Sequence, residues 1–400
     1  MRRNLSPVWL LLTLFLAIPF ARAEEEDEAA ARERGKALLA SLKTFDESLT
    51  GTTFYGIYAG TKNIGTIKTV VEKAPEDTAG VYQAVFEMKM KIGSNEFSSN
   101  SRDMLDGSFA VLSHASLEED PNGPATEKRS LKDGRWTLET SKGEESAVFG
   151  LAAPGPDHGE KSSHWLLARR IRTDEKRLYL LKGIAWPKAT DADPEASGET
   201  ELDASVYKDI RIAAAPPAPF EHRGASVTAR VVTVTDTKGE TTSYAVGPGD
   251  KVLAFWPGDA PIKIIAGTEE EAGADLAEEA ISDEARAVKD AVLVYFRVAA
   301  KAVDVDEIDK VIDWASVGKQ LAELNPMFKD MDAEQVAGIV KMQLANSPAS
   351  VPKDQLDILE AMLKVSVDGD KASVKIKGEG DKPFRLEKRD GKWIIVQLPI

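Results

Sequence analysis

The C-terminal stretch from Ile358 to Leu398 constrains the fold most, because its pattern fixes both strand pairing and register. Leu363, Val365 and Val367 alternate with Lys364 and Ser366, and Ala372, Val374 and Ile376 alternate with Ser373 and Lys375. Period-two alternation marks half-buried strands. With Gly369-Asp370 as a two-residue loop, Val367 faces Ala372, Val365 faces Val374 and Leu363 faces Ile376, so all of them share one face. A slip of one residue would turn one apolar set toward water, so the pattern selects this register. A second hairpin turns at Asp390-Gly391, which pairs Leu386 with Ile395 and Lys388 with Trp393, with Phe384 further along the same face. The last strand, Trp393 to Val396, is apolar on both faces, which predicts a strand covered on both sides or central in its sheet.

Helical patterns precede this meander. Ser282 is placed to cap a helix with the stripe Val288, Val292, Tyr295, Phe296, Ala299 and Val303. Asp313 caps a shorter one carrying Trp314, Val317, Leu321 and Leu324, and Asp332 with Gln335 forms a capping box before Val336, Ile339, Val340 and Leu344. Helices followed by a curved antiparallel sheet predict an α+β unit. This segment, about residues 276–400, resembles the nuclear transport factor 2-like (cystatin-like) cone fold through its L-x-V-x-V-D-G-D-K-A-x-V run from Leu363 to Val374 and its F-x-L-x-K-x-D-G-K-W run from Phe384 to Trp393. The resemblance implies a cone with a mouth, and it implies no single function, since the superfamily includes enzymes, binders and assembly modules. Tyr295, Trp314, Phe328, Phe384 and Trp393, with Phe296, either line that mouth as a site for a small apolar or amphipathic ligand or fill the core.

Met1 to Ala23 has the form of a cleaved signal peptide: Arg2 and Arg3, an apolar run from Val8 to Phe20, and Ala21-Arg22-Ala23 before Glu24. The expected location is periplasmic or secreted. Cleavage removes three arginines and no acid, taking the net charge from −15 to −18. A surface this acidic repels phosphate backbones and argues against nucleic-acid partners. The chain has no cysteine, which excludes disulfides, thiol catalysis and thiolate metal sites.

Glu24 to Ser48 is expected as one amphipathic helix, with Leu38, Leu39, Leu42 and Phe45 forming a stripe that packs on the next unit rather than serving as a stalk. From Thr53 the period changes to that of strands. Expected strands are Thr53–Tyr58, Ile64–Val71, Val81–Ile92, Glu96–Leu105, Phe109–Leu117, Glu127–Leu131, Arg135–Thr140, Ser146–Phe149, Arg177–Trp186, Glu201–Ile212, Ser226–Val234, Thr241–Val246, Val252–Trp256 and Ile262–Ala266. A loop at Pro154–Gly159 and a short helix at Trp165–Leu167 capped by Ser163 interrupt them, and Ala213–Pro219 reads as extended. Tyr58-Ala59-Gly60-Thr61-Lys62-Asn63-Ile64-Gly65 and Pro261 to Gly267 resemble the first hairpin and last strand of an uncharacterised envelope-protein family. That family is similar to the curved half-barrel of periplasmic lipoprotein carriers. Such a concave sheet either holds an apolar ligand or is filled by its own helix.

The chemistry-bearing residues form no catalytic signature. His158 and His164 fall in and beside a Gly/Pro loop and read as solvated, while His114 and His222 are isolated in sequence. Ser316 and Lys319 match S-x-x-K without the S-D-N and K-T-G partners of penicillin-recognising enzymes. Asp304, Asp306 and Asp309 lack the Gly and Glu of a calcium loop and read as helix caps. Asp357 and Glu360 flank the first cone strand and are the acids to inspect there. The sequence therefore predicts a multidomain chain: signal peptide 1–23, amphipathic helix 24–49, antiparallel β domain 50–268, exposed linker 269–281 and α+β cone 282–400. Its expected role is non-catalytic binding of an envelope component or small lipophilic ligand, with no metal or cofactor. The alternatives are an interaction module that dimerises through the cone sheet, or an enzyme hosted in the cone. A buried acid or histidine in the cone would favour the last.

Overall fold

The computed structural model describes residues 28–42, 45–76, 78, 80–121, 123–143, 145–151, 161–187, 199–258, 262–276, 282–325, 328–346, 352–376 and 382–399. The signal-peptide reading, the Pro154–Gly159 loop, His158 and Pro261 lie outside these residues. The chain opens with helix α1 (Glu28–Ser41), then strands β1 (Gly51–Ala59), β2 (Lys62–Lys73), β3 (Tyr82–Ile92), β4 (Asn95–Leu105), β5 (Val111–Asp120), β6 (Gly123–Lys132), β7 (Arg135–Lys142) and β8 (Glu145–Leu151). Helix α2 (Lys161–Arg170) follows. Then come β9 (Arg177–Ile184), β10 (Glu199–Leu202), β11 (Tyr207–Ala214), β12 (Ala218–His222), β13 (Ala225–Thr235), β14 (Thr241–Val246), β15 (Val252–Pro257) and β16 (Ile262–Gly267). The remainder is α3 (Glu269–Gly273), α4 (Asp283–Ala299), α5 (Trp314–Leu324), α6 (Ala333–Asn346), α7 (Leu356–Met362) and strands β17 (Leu363–Asp368), β18 (Lys371–Ile376), β19 (Phe384–Arg389) and β20 (Lys392–Gln397).

Among the described residues, one large sheet has sixteen strands in the order β10-β8-β7-β6-β5-β4-β3-β2-β1-β16-β15-β14-β13-β11-β9, with β12 on β13. Strands β1 to β8 form an unbroken meander of antiparallel pairs. The expected strand Glu201–Ile212 is divided in two. The Asp203 side chain accepts from Ser205 N and turns the chain through a short 3-10 segment, so β10 joins β8 while β11 joins β9. Local side-chain capping of this kind competes with a continuous ladder.

The sheet curls around α2. Leu166, Leu167 and Ala168 are fully buried at consecutive positions, so the helix is covered on every side. Its core includes Ile67 and Val71 of β2, Leu105 of β4, Ile212 of β11 and Val234 of β13, drawn from both halves of the sheet. By apolar transfer, each buried leucine of α2 contributes about 2 kcal/mol. The C-terminal end of α2 is fixed by charge. Arg169 donates to the carbonyls of Asp250 (2.7 Å), Leu49 (2.8 Å) and Ser48 (3.0 Å), while Arg230 donates to the carbonyl of Arg169 at 2.7 Å and to Asp250 Oδ1 at 2.9 Å. A carbonyl of the last helical turn, which lacks an intrahelical donor, is thereby satisfied.

The helix expected over residues 24–48 is shorter among the described residues: α1 ends at Ser41 and Glu47–Leu49 is a separate 3-10 turn, but the expected stripe packs, with Leu38 and Leu39 of α1 and Leu42 and Phe45 after it against the same core. Helix α1 runs beside β9, the last strand of the sheet, where Arg34 Nε donates to the Leu178 carbonyl at 2.8 Å and Gly35 lies against the Leu180 carbonyl. A bidentate pair from Arg32 to Asp209 of β11 (2.9 and 2.7 Å) holds the helix in place. Covering an end strand removes a row of free backbone groups from solvent.

A separate four-stranded sheet runs β17-β18-β19-β20. Its register is the one the alternation predicts: Val367↔Ala372, Val365↔Val374, Leu363↔Ile376, Leu386↔Ile395 and Lys388↔Trp393. Strand β20 is terminal rather than central in its four-stranded sheet, and its outer edge is met at Ile395 by the backbone of Val311, Ile312 and Asp313. The three expected caps are present at Ser282, Asp313 and Asp332. Helix α4 buries Val288, Val292 and Phe296 against this sheet, forming a second core with Val374, Leu386 and Ile395. No helix among the described residues is long and apolar enough to cross a membrane.

The acidic stretch expected as an open linker starts instead with α3. Thr268 and Glu271 form a reciprocal capping box, and Ala272 is buried. Tyr58 Oη donates to the Glu271 carbonyl (3.0 Å), Asn63 Nδ2 to the Ala272 carbonyl (2.7 Å) and Leu276 N to the Thr61 carbonyl (2.9 Å). Those partners lie about 210 residues away, so no local pattern announces them.

Candidate functional site

Antiparallel pairing sets Asp103 opposite His114 and His114 opposite Arg129, a row of polar side chains across β4, β5 and β6. All three are buried. His114 Nδ1 lies 2.6 Å from Asp103 Oδ1, and its Nε2 lies 3.9 Å from Glu127 Oε1. Arg129 Nε is 3.0 Å from the same Glu127 oxygen, and its guanidinium sits 5.5 Å from the Trp186 ring centre. Trp186 in turn meets Trp136 edge-on at 5.8 Å, which brings the chain just past β9 onto β6 and β7. Chemically, this is an imidazole oriented by one carboxylate and facing a second, whose position an arginine fixes. Such an arrangement can hold or pass a proton. It lies in the large sheet, not in the four-stranded one. His114 is isolated in sequence because its partners Asp103 and Arg129 belong to other strands. The available signal was an ionisable residue at an inward position on each of three successive strands.

An open cleft of about 930 Å3 lies where the β2, β3 and β4 hairpin ends approach α7. Ile64, Met90, Phe97 and Ile358 line it beside Lys62, Lys89, Lys91, Glu96, Glu119 and Asp357. Its position follows from the β1–β2 turn. Gly60 has φ +62° and packs against Ala361 of α7, where any Cβ would strike the Ala361 carbonyl. Lys62 Nζ pairs with Asp357 Oδ2 at 2.7 Å, and this hydrogen bond raises the Lys62 pKa above its usual value. Ile358 packs on the first core. A volume of this size lies within the about 300–1,000 Å3 typical of small-molecule sites.

Of the aromatic residues expected at a cone mouth, Phe296, Phe384 and Trp393 belong to the second core and Tyr295 and Trp314 pack against it, while Phe328 stands apart from that cluster. Tyr295 and Phe384 meet at 5.6 Å and join Phe296 in a mutual edge-to-face triplet. Phe384 and Trp393 are buried in the second core, with Lys388 Nζ 5.8 Å from the Trp393 ring centre. Burial raises the Tyr295 pKa. Trp314 is half-buried and donates from Nε1 to Asp309 Oδ1 at 2.8 Å, while Phe328 is buried between α5 and α6 in sequence.

Other candidates resolve into structural roles. Ser316 Oγ donates to Asp313 Oδ2 at 2.6 Å, part of the α5 cap, so the S-x-x-K serine serves its own helix. Asp304 caps the 3-10 turn through Asp306 N, and Asp306 and Asp309 both pair with Lys341 (2.9 and 2.5 Å). Glu360 lies 3.6 Å from Lys289. His164, read as part of a solvated loop, is instead buried in α2, because the helix begins earlier than the Gly/Pro pattern suggested. His222 is half-buried, and burial, with Arg223 beside it, lowers its pKa. Among the described residues, no group of three or more His, Asp or Glu side chains is arranged to hold a metal ion.

No family model matches the chain. No curated protein matches it. Among solved structures, it is similar to a β-barrel-like protein of domain of unknown function DUF1849 from Brucella abortus, with 7% identity over 54% of this chain and 93% of that one and a TM-score of 0.33. It is also similar to a DUF1089 family protein from Pseudomonas aeruginosa, with 12% identity over 46% of this chain and 87% of that one and a TM-score of 0.22.

Proposed function

We propose that this chain is an exported, non-catalytic binding protein that holds an amphipathic small molecule of the cell envelope in the cleft between the hairpin ends and α7. The observation that carries this reading is the open cleft of about 930 Å3, lined by Ile64, Met90, Phe97 and Ile358 together with charged residues. The interior of the large sheet is a poorer candidate, because α2 fills it. In this reading the two sheets are separate modules, the second of cone type. The joint between them supplies the site, and the cone aromatics Tyr295, Phe384 and Trp393 serve as core. Export through the Met1–Ala23 segment predicts a mature chain that begins at Glu24, which N-terminal sequencing of the purified protein checks.

The test is equilibrium binding of a fluorescent acyl-chain probe to the mature chain and to Ile358→Asp. Saturable binding that weakens at least about tenfold in the variant supports the reading, since one lost apolar anchor is worth about 1.5–3 kcal/mol. No saturable binding, or equal binding by both proteins, overturns it. A second reading, a proton-transfer enzyme, is favoured by the Asp103–His114–Glu127–Arg129 row. It requires a substrate to reach Glu127, the most exposed member, with 31% of its side chain open.

A further inference from the structure

The charges around the cleft identify the kind of head group its ligand carries; this step rests on the cleft being the binding site. Lys62, Lys89 and Lys91 face Glu96, Glu119 and Asp357, so positive and negative side chains balance. They also alternate in space. Lys62 pairs with Asp357 at 2.7 Å and Lys91 with Glu96 at 3.2 Å. Lys89 stands in register with Ser98, and Ser98 with Glu119, so Lys89 and Glu119 occupy one cross-strand row. Two strand spacings set their backbones about 10 Å apart. Ser98 Oγ donates to Glu119 Oε2 at 2.9 Å and holds that carboxylate in the row.

We infer that the cleft takes a zwitterionic amphiphile, with a head group that carries one cation and one anion on an apolar chain. Exposed ion pairs are individually weak, so Lys62–Asp357 and Lys91–Glu96 exchange partners at little cost. A zwitterion offers a carboxylate partner and a lysine partner together, so every displaced side chain is paired again. A head group of one sign leaves the opposite member of each opened pair alone. The net charge, −15 over the full sequence and −18 without Met1–Ala23, adds a long-range bias against anionic amphiphiles.

The experiment compares dodecyl amphiphiles that differ only in head group: phosphocholine (zwitterionic), sulfate (anionic), trimethylammonium (cationic) and maltoside (uncharged). Each is titrated calorimetrically into the full mature chain below its critical micelle concentration. The expected result is that dodecylphosphocholine binds at least about tenfold tighter than the other three. Lys89→Glu, an exposed change, is expected to abolish that preference and favour the cationic chain. If the anionic, cationic or uncharged chain binds as tightly as the zwitterion, the head-group inference fails while the binding reading stands. If none of the four binds, both fail.

Discussion

Three glycines placed inside helices give a graded test of how the chain packs. Alanine at a helix-interior glycine gains about 1 kcal/mol from propensity alone. At Gly338 of α6 an added Cβ meets nothing within 4 Å, so Gly338→Ala is expected to stabilise by that full amount. At Gly318 of α5 the Cβ would lie 3.3 Å from Val336 Cγ2, a side-chain atom that yields by a few tenths of an ångström, so gain and strain nearly cancel. At Gly35 of α1 the Cβ would overlap the Leu180 carbonyl oxygen and lie 3.0 Å from its carbon, and a strand backbone does not yield. Overpacking costs of about 1–3 kcal/mol outweigh the propensity gain there, leaving a net loss of up to about 2 kcal/mol. Urea midpoints should therefore rank Gly338→Ala above the parent and Gly35→Ala below it, with Gly318→Ala near the parent. Hydrogen exchange at β9 amides should accelerate only in Gly35→Ala. If Gly35→Ala raises the midpoint as much as Gly338→Ala, α1 does not sit on β9 as described, and the argument for a covered end strand fails.

The hydrogen bond from Arg32, with Lys182 as a further partner, holds the Asp209 carboxyl well below the usual range. A depressed pKa contributes stability that is complete above the unfolded value of about 3.9 and is lost as pH falls through it toward the folded value. Docking of α1, read by β9 hydrogen exchange, should weaken below about pH 4, and Asp209→Asn should be weaker at pH 7 yet show a flatter acid dependence. Arg169→Met leaves the carbonyls of Ser48, Leu49 and Asp250 without their donor, and thermal denaturation should show a loss of about 3 kcal/mol. Arg169→Lys should recover little of it, because a single ammonium cannot reproduce the forked geometry.

The β20 and β17–β18 pairings were legible because local alternation and a two-residue turn determine them without help from the rest of the chain. The helix caps at Ser282, Asp313 and Asp332 were legible for the same reason: capping acts over three residues. Two kinds of feature escaped. Asp203 accepts from Ser205 N, a local turn that ends a strand where alternation alone continues it, and at long range α3 forms where acidic composition suggests an exposed linker, because Tyr58 and Asn63 bind its carbonyls. The burial of His164 is not legible locally, because burial inside a curled sheet depends on strands before and after it, not on its Gly/Pro neighbours.

The Tyr58–Gly65 stretch shows how one short segment serves both local and distant structure. Tyr58 is fully buried; its hydroxyl reaches Glu271, and Arg223 stacks near its ring at 6.0 Å. Gly60 admits α7, Lys62 pairs with Asp357 and Asn63 holds α3. These contacts are mostly polar and specific. A joint of that type fixes orientation through directed bonds while leaving unfilled space beside it, whereas an apolar joint is driven to close such space. The cleft beside Lys62 and Ile358 is a consequence of that choice of chemistry. Replacing the Lys62–Asp357 pair by two leucines should bring α7 closer to β2 and reduce the cleft. The same double substitution should then weaken amphiphile binding even though it makes the site more apolar, which an increase in affinity would contradict.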